Sequence, residues 1–175
     1  MNPLLMSVTL AVFAALSASA QPLSPPAETS VTINGKTLSI KYAAPSVRGR
    51  KIFGSGGKIS QDSTYPVWRA GANAATAFHT DGDLDIGGLA VPKGDYTIFV
   101  LVNVDPWQLI INKQTGQWGL SYDQSKDVGR VKMTMSKPPA PIETYKMTLS
   151  AAGANKGKLQ LEWENVIASV PITVK

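Results

Sequence analysis

The stretch TSVTINGKTLSIKYAAP, residues 29–45, sets two runs of alternating apolar and polar side chains on either side of Asn34-Gly35. Asn-Gly between such runs is the strongest short-range signal for a β-hairpin, because a type I′ turn needs positive φ at both central residues. The same alternation returns in GRVKMTMS, IETYKMTLSA, GKLQLEWEN and ASVPITV, separated by the turn-forming KPPAP and GANKG. Successive side chains of a strand point to opposite faces, so this pattern gives one face to a core and one to water. In between, DYTIFVLVNV (Asp95 to Val104) and WQLIIN (Trp107 to Asn112) are β-branched and apolar, as central strands buried on both faces are, with a turn at Asp105-Pro106. The mature region shows no sustained helical period. The chain therefore reads as all-β: an antiparallel β-sandwich of about nine or ten strands with little helix.

Residues 1–20, MNPLLMSVTLAVFAALSASA, carry no charged side chain and hold an apolar run from Leu4 to Leu16. They finish in Ala18-Ser19-Ala20, the small-x-small pattern of a signal-peptidase site, which predicts a signal peptide cleaved after Ala20. The run is short for a bilayer span of about 20 residues, so no stable membrane span is expected after cleavage. Residues 21–28, QPLSPPAE, read as an extended lead-in, and 29–175 as a single β-sandwich domain. The chain has no cysteine, so neither disulfides nor a lipoprotein anchor is available and stability must come from the apolar core. A periplasmic or secreted protein is expected. The formal charge of +5 suits anionic partners, but only Arg48, Arg50 and Lys51 form a true basic cluster. No basic and aromatic array suggests nucleic acid.

Residues 45–65 are Gly- and Ser-rich and read as a long surface loop. Within it, FGSGGK lacks the spacing of a phosphate loop, since Gly54 and Gly57 are too close and Ile59 follows Lys58. Further on, His79, Asp81, Asp83 and Asp85 occupy every second position. An unbroken strand would gather them on one face as a metal site, but Asp81-Gly82 is itself a hairpin signal that would splay them, so no metal is assigned. His79 is the only histidine, and no Ser lies in a nucleophile elbow, so no catalytic residue and no cofactor are assigned either. What remains is a mixture of flat rings, among them Trp68, Trp107, Trp118 and Tyr122, with directed hydrogen-bonding groups in Arg50, Arg69, Asn73, Asn112 and Asp127. Small polar ligands such as sugars use that mixture, with a ring beneath and amides at the edge. The same residues also suit a core filled by tryptophans, with Arg69 paired to a buried Asp.

Five blocks in order, APSVRGRKIFG, VWRAGANAAT, IGGLAVPKGDYTIFVL, WQLIINKQTGQWG and YDQSKDVGRVKM, followed by LEWENVIASVPI, resemble the bacterial domain-of-unknown-function family 2911 over about Leu23 to Lys175. The resemblance implies an exported protein and carries no established activity. It places the family's Gly-Arg pair on Gly49 and Arg50, and its Trp-Arg-x-Gly-Ala-Asn-x-x-Thr motif on Trp68, Arg69, Gly71, Ala72, Asn73 and Thr76. Gly94 and Tyr96 take its Gly-x-Tyr, and Trp118, Gly119, Tyr122 and Asp123 its Trp-Gly with a following Tyr-Asp. Two departures stand out: the segment from Gly54 to Trp68 is Ser- and Gly-rich instead of compact, and Ala74 stands where members often carry Glu. Arg50, Trp68, Arg69, Asn73, Thr76, Trp118 and Tyr122 are thus the candidate ligand-binding residues. The expected function is a non-catalytic binding module for a small polar or carbohydrate-like ligand or an envelope partner. A hydrolase using His79 or an Asp pair, and a structural envelope protein, are the alternatives.

Overall fold

The computed structural model describes residues 24–175; the expected signal peptide and the first residues of the lead-in lie outside the described residues. Thirteen strands run in chain order as β1 (Pro26–Ile33), β2 (Lys36–Ala43), β3 (Val67–Trp68), β4 (Thr76–Thr80), β5 (Leu84–Ile86), β6 (Leu89–Val91), β7 (Gly94–Leu101), β8 (Gln108–Asn112), β9 (Asp127–Lys132), β10 (Thr134–Ser136), β11 (Ile142–Ala151), β12 (Lys156–Glu164) and β13 (Val166–Val174). One antiparallel sheet has the order β1-β2-β4-β7-β8-β9 with β3 also paired to β7; the other has β11-β12-β13-β5-β6 with β10 also paired to β13. The all-β sandwich expected from the alternation is what forms.

Local signals translate directly. Asn34 and Gly35 adopt φ of 49° and 70° and close β1 onto β2 in full register. Strand β7 is buried from Tyr96 to Val100 and lies inside its sheet, with β4 on one side and β8 on the other. The count exceeds nine or ten because β3, β5, β6 and β10 are only two or three residues long, too short for alternation to show. Strand β1 begins at Pro26, so the lead-in is shorter than residues 21–28. Asp81-Gly82 is not a hairpin: it is the corner where the chain leaves the first sheet at Thr80 and enters the second at Leu84.

Residues 45–65 differ most from expectation. They are not a surface loop, because Ile52 and Ile59 are buried and Phe53 packs edge-on against Trp68 and Trp163 and tilted against Trp107. The backbone N–H of Ile52 donates to the Glu164 carboxylate, tying the segment to the turn between β12 and β13. The segment plugs one end of the sandwich, over an aromatic cluster in which Trp68 stacks on Trp163 at 5.9 Å and meets Tyr145 at 5.0 Å. Such ring pairs add to the gain from burying their area.

Replacing Ile52 by Ala is therefore expected to cost about 2 to 5 kcal/mol in urea unfolding, as truncations at filled core positions do. A change within about 0.5 kcal/mol, normal for a surface loop, would contradict the plug.

Candidate functional site

The site grows out of an interruption in the first sheet. Trp68 of β3 pairs with Val100 of β7, and Thr76 of β4 pairs with Ile98 of the same strand. Eight residue steps on one side thus span two on the other, so the chain from Arg69 to Ala75 is thrown out of the ladder. Its carbonyls then need donors from elsewhere. Trp68 supplies one, its indole N–H donating to Gly71 O at 3.1 Å, and the Thr76 hydroxyl donates to Ala70 O at 2.8 Å. Ala70 and Asn73 both take positive φ, 50° and 60°, a conformation that only a well-fastened turn holds without glycine. A side chain at position 71 would crowd the turn, since a Cβ there would sit 3.0 Å from Ala43 O and 3.1 Å from Thr76 Oγ1.

This turn aims Arg69. Its Nη2 donates to Asp62 Oδ2 at 2.8 Å, and the two side chains keep only 12% and 10% of their exposure. Nη1 makes a long contact of 3.4 Å to Asn73 O, while Nε–H is buried without a hydrogen-bond partner among the described residues. Gly119 closes over the side chain: a Cβ there would run into Arg69 Cδ and the Asn73 carbonyl, and the Gly119 N–H donates to that carbonyl. The Trp-Gly and Trp-Arg motifs, far apart in sequence, meet here.

A cavity of about 220 Å³ opens beside Arg69. Arg48, Arg50, Lys58 and Arg69 bring four cations to its wall, Asp62 one carboxylate, Asn73 an amide, and Trp163 and Ile59 apolar surface. Arg48 and Gly49 form a turn with φ of 50° and 68°, and the N–H of Arg48 donates to the Glu143 carboxylate. Arg50 is pinned by Nε–H to Val47 O at 3.0 Å and Nη2 to Ser46 O at 2.6 Å, which leaves Nη1 as its remaining fork nitrogen.

Of the sequence candidates, Arg50, Arg69 and Asn73 converge on this cavity. Trp68 and Thr76 do not line it; both are buried and fasten the turn. Trp118 lies outside it, 57% exposed and bridged to Ala74. Tyr122 is elsewhere on the first sheet, packed on Phe99 at 5.0 Å and donating to Asp127 Oδ2 at 2.6 Å, while Arg130 donates to its oxygen at 2.9 Å. Burial first, and then Asp127, push the Tyr122 phenol up to about 12. Arg48, Lys58, Asp62 and Trp163 are among the cavity residues that lie outside the sequence candidates. Arg48 stands in the basic cluster, Trp163 at an inward position of β12, and Lys58 in the FGSGGK segment that lacks phosphate-loop spacing; Asp62 carries no signal in the sequence.

A second depression, about 520 Å³, lies around His79 on the outer face of the first sheet. Ser39, His79 and Asp95 stand opposite one another across β2, β4 and β7. That row resembles a nucleophile–base–acid series, but the hydrogen bonds run otherwise. His79 Nδ1 lies 2.8 Å from Asp95 and Nε2 lies 3.0 Å from Asp81, so both nitrogens face carboxylates. The remaining acids of the Asp81, Asp83, Asp85 run disperse: Asp83 accepts from Lys93 N–H and Asp85 from Gly88 N–H. No group of three or more His, Cys, Asp or Glu among the described residues is placed to hold a metal ion.

Fold and cavity together define an all-β sandwich whose basic cavity is carried by a segment expelled from its own ladder. Residues 24–172 match the family described as protein of unknown function (DUF2911), and the chain belongs to that family. No curated protein and no solved structure matches it. Among the described residues no helix is long and apolar enough to cross a membrane.

The hydrogen bond to Asp81, followed by that to Asp95, holds the His79 pKa above 6.5. A folded-state value above the unfolded one means that this clamp contributes fully below about pH 6.5 and is lost as pH rises through the folded value. A histidine titration followed by NMR is expected to show a midpoint above 6.5 that falls in Asp81→Asn. A midpoint at or below 6.5 in the parent chain would contradict the clamp.

Proposed function

We propose that the protein is exported, with its leader cleaved after Ala20, and acts in the periplasm or outside the cell as a non-catalytic binding module for a small polar ligand that carries an anionic group, such as a sugar acid. The observation that carries this reading is the meeting of Arg48, Arg50, Lys58 and Arg69 with a single carboxylate, Asp62, in one cavity. Guanidinium groups held by packing offer directed donors, and their hydrogen bonds to carboxylate or phosphate are roughly twice as strong as neutral ones. Arg69 is set in advance by Asp62 and Gly119, and Arg50 by two carbonyls, so little side-chain freedom is lost on binding. The cavity is smaller than the range of about 300 to 1,000 Å³ usual for drug-sized ligands, which suits a small molecule or a head group. Asn73 and Asp62 add the amide and carboxylate that hydroxyl-rich ligands use.

The lining groups hold charge and donate hydrogen bonds, which favours binding over bond cleavage. A hydrolase at His79 has less support, because a ring between two carboxylates is stabilised as imidazolium and is a poor general base. A purely structural envelope role does not account for Lys58, whose side chain stands at the cavity wall without a hydrogen bond or ion pair among the described residues.

Melting shifts and calorimetry on residues 21–175 with phosphate, glucuronate and uncharged glucose test the proposal. A saturable anion is expected to stabilise the fold by about 2.7 kcal/mol at one hundred times its Kd. The Lys58 side chain is exposed and makes no hydrogen bond or ion pair among the described residues, so Lys58→Ala leaves Tm unchanged and weakens anion binding about three- to tenfold at low salt. Binding of glucose as tight as glucuronate, or an unchanged affinity in Lys58→Ala, would overturn the anionic reading.

A further inference from the structure

Separately from the basic cavity, we propose that the outer face of the first sheet carries a second site, a trough that takes a neutral, extended, linear oligosaccharide. The depression around His79 and a groove of about 400 Å³ share Lys41 and Ala77, so the two form one continuous trough. Its floor is the outward side of β2 and β4, with Ser39 beside His79 and Lys41 beside Ala77. Along β2 it runs from Ser39 to Ala43, about 13 Å at about 3.3 Å per residue, the reach of several joined sugar rings and not of one. Asp95 stands at one end, and Ala72, Ala74 and Ala75 of the expelled segment close the other.

One long wall is Thr115-Gly116-Gln117, and it is fastened before any ligand arrives. The Thr97 hydroxyl donates to Gln114 O at 2.7 Å, the Gln114 N–H to Asn112 Oδ1 at 2.9 Å, and the Ala75 N–H to Gln117 O at 3.1 Å. Beside Gly116 the space is open, since a Cβ there would meet nothing within 4 Å.

Hydrogen bonding, charge and shape select the occupant. Gln117 Nε2 is buried with no hydrogen-bond partner among the described residues, a cost that an oxygen acceptor on a ligand would remove. The Lys41 side chain is exposed and makes no hydrogen bond or ion pair among the described residues, and Ser39 and Thr115 add hydroxyls. Charges along the trough are met by opposites: Lys41 stands across from Glu28 on β1, and His79 lies between Asp81 and Asp95. A chain of like charges therefore finds no field to follow, whereas a neutral one can donate to Asp95 and accept from Lys41 and Gln117. Trp118, whose backbone bridges to Ala74 at the closed end, keeps an exposed ring. A flat ring beside hydroxyl, amide and carboxylate groups meets both the face and the edge of a sugar.

Calorimetry on residues 21–175 with cellobiose and cellohexaose, and with maltohexaose as the coiled control, tests the trough. Cellohexaose is expected to bind at least about tenfold more tightly than cellobiose, because more of its chain lies in contact. Its affinity is expected to be equal at about 0.05 and 0.5 M salt, since a neutral ligand has no charge to screen. Trp118→Ala, at an exposed ring, is expected to leave Tm unchanged and weaken cellohexaose about three- to tenfold. Ala77→Ile raises the floor where the two depressions meet, with a residue suited to an exposed strand position. It is expected to remove the gain with chain length and keep glucuronate binding, because Ala77 does not line the basic cavity.

No saturable binding of cellohexaose, an affinity no higher than that of cellobiose, maltohexaose bound as tightly, or a gain that survives in Ala77→Ile overturns the trough as a glycan site, whatever glucuronate does at the cavity. Saturable binding of an extended Ser- and Thr-rich peptide without binding of cellohexaose would assign the trough to a protein chain and overturn the proposal.

Discussion

The break between β3 and β4 is the constraint from which the rest of the site follows. A strand that pairs continuously with β7 would bury the 69–75 backbone in the ladder and point its side chains to alternate faces. Expelling that chain releases several carbonyls, and the protein answers with the Trp68 indole, the Thr76 hydroxyl and the Gly119 amide. The cost of two residues at positive φ is offset by those bonds and by burial of Ala70. What is gained is a rigid mount that holds Arg69 next to Asp62. Removing one partner of this part-buried pair leaves the other charge without its compensation.

The plug at residues 45–65 belongs to the same construction. It delivers Asp62 to Arg69, Lys58 and Arg50 to the cavity wall, and Ile52 with Phe53 to the aromatic cluster beneath. Trp163 joins the two, with its ring in that cluster and at the cavity, and its N–H donating to Glu143 O. Core packing and site geometry therefore share residues.

The sequence shows some of this and hides the rest for physical reasons. The hairpin at Asn34-Gly35 and the paired strands β7 and β8 are legible because their signals are local: positive φ at adjacent residues, and unbroken apolar runs. The plug is hidden because Ile52, Phe53 and Ile59 are isolated among glycines and serines, and their burial is decided by Trp68, Trp107 and Trp163 far along the chain. Arg50, Arg69 and Asn73 are legible as a site because polar groups of fixed geometry stand beside tight turns. Trp68 and Thr76 look identical in sequence to ligand contacts, although they hold the turn that holds the site. Tyr122 stands out for its motif, yet its partners Asp127 and Arg130 make a separate network.

The central claim is that the expelled turn and the plug form one anion-receiving cavity. Amide and arginine Nε–H correlation spectra recorded during a glucuronate titration test it most directly. The account predicts saturable shifts at Gly71, Ala72 and Asn73 and at the side chains of Arg50 and Arg69, with His79 and Tyr122 unmoved. Shifts centred on His79, or small non-saturating shifts spread over the surface, would contradict it.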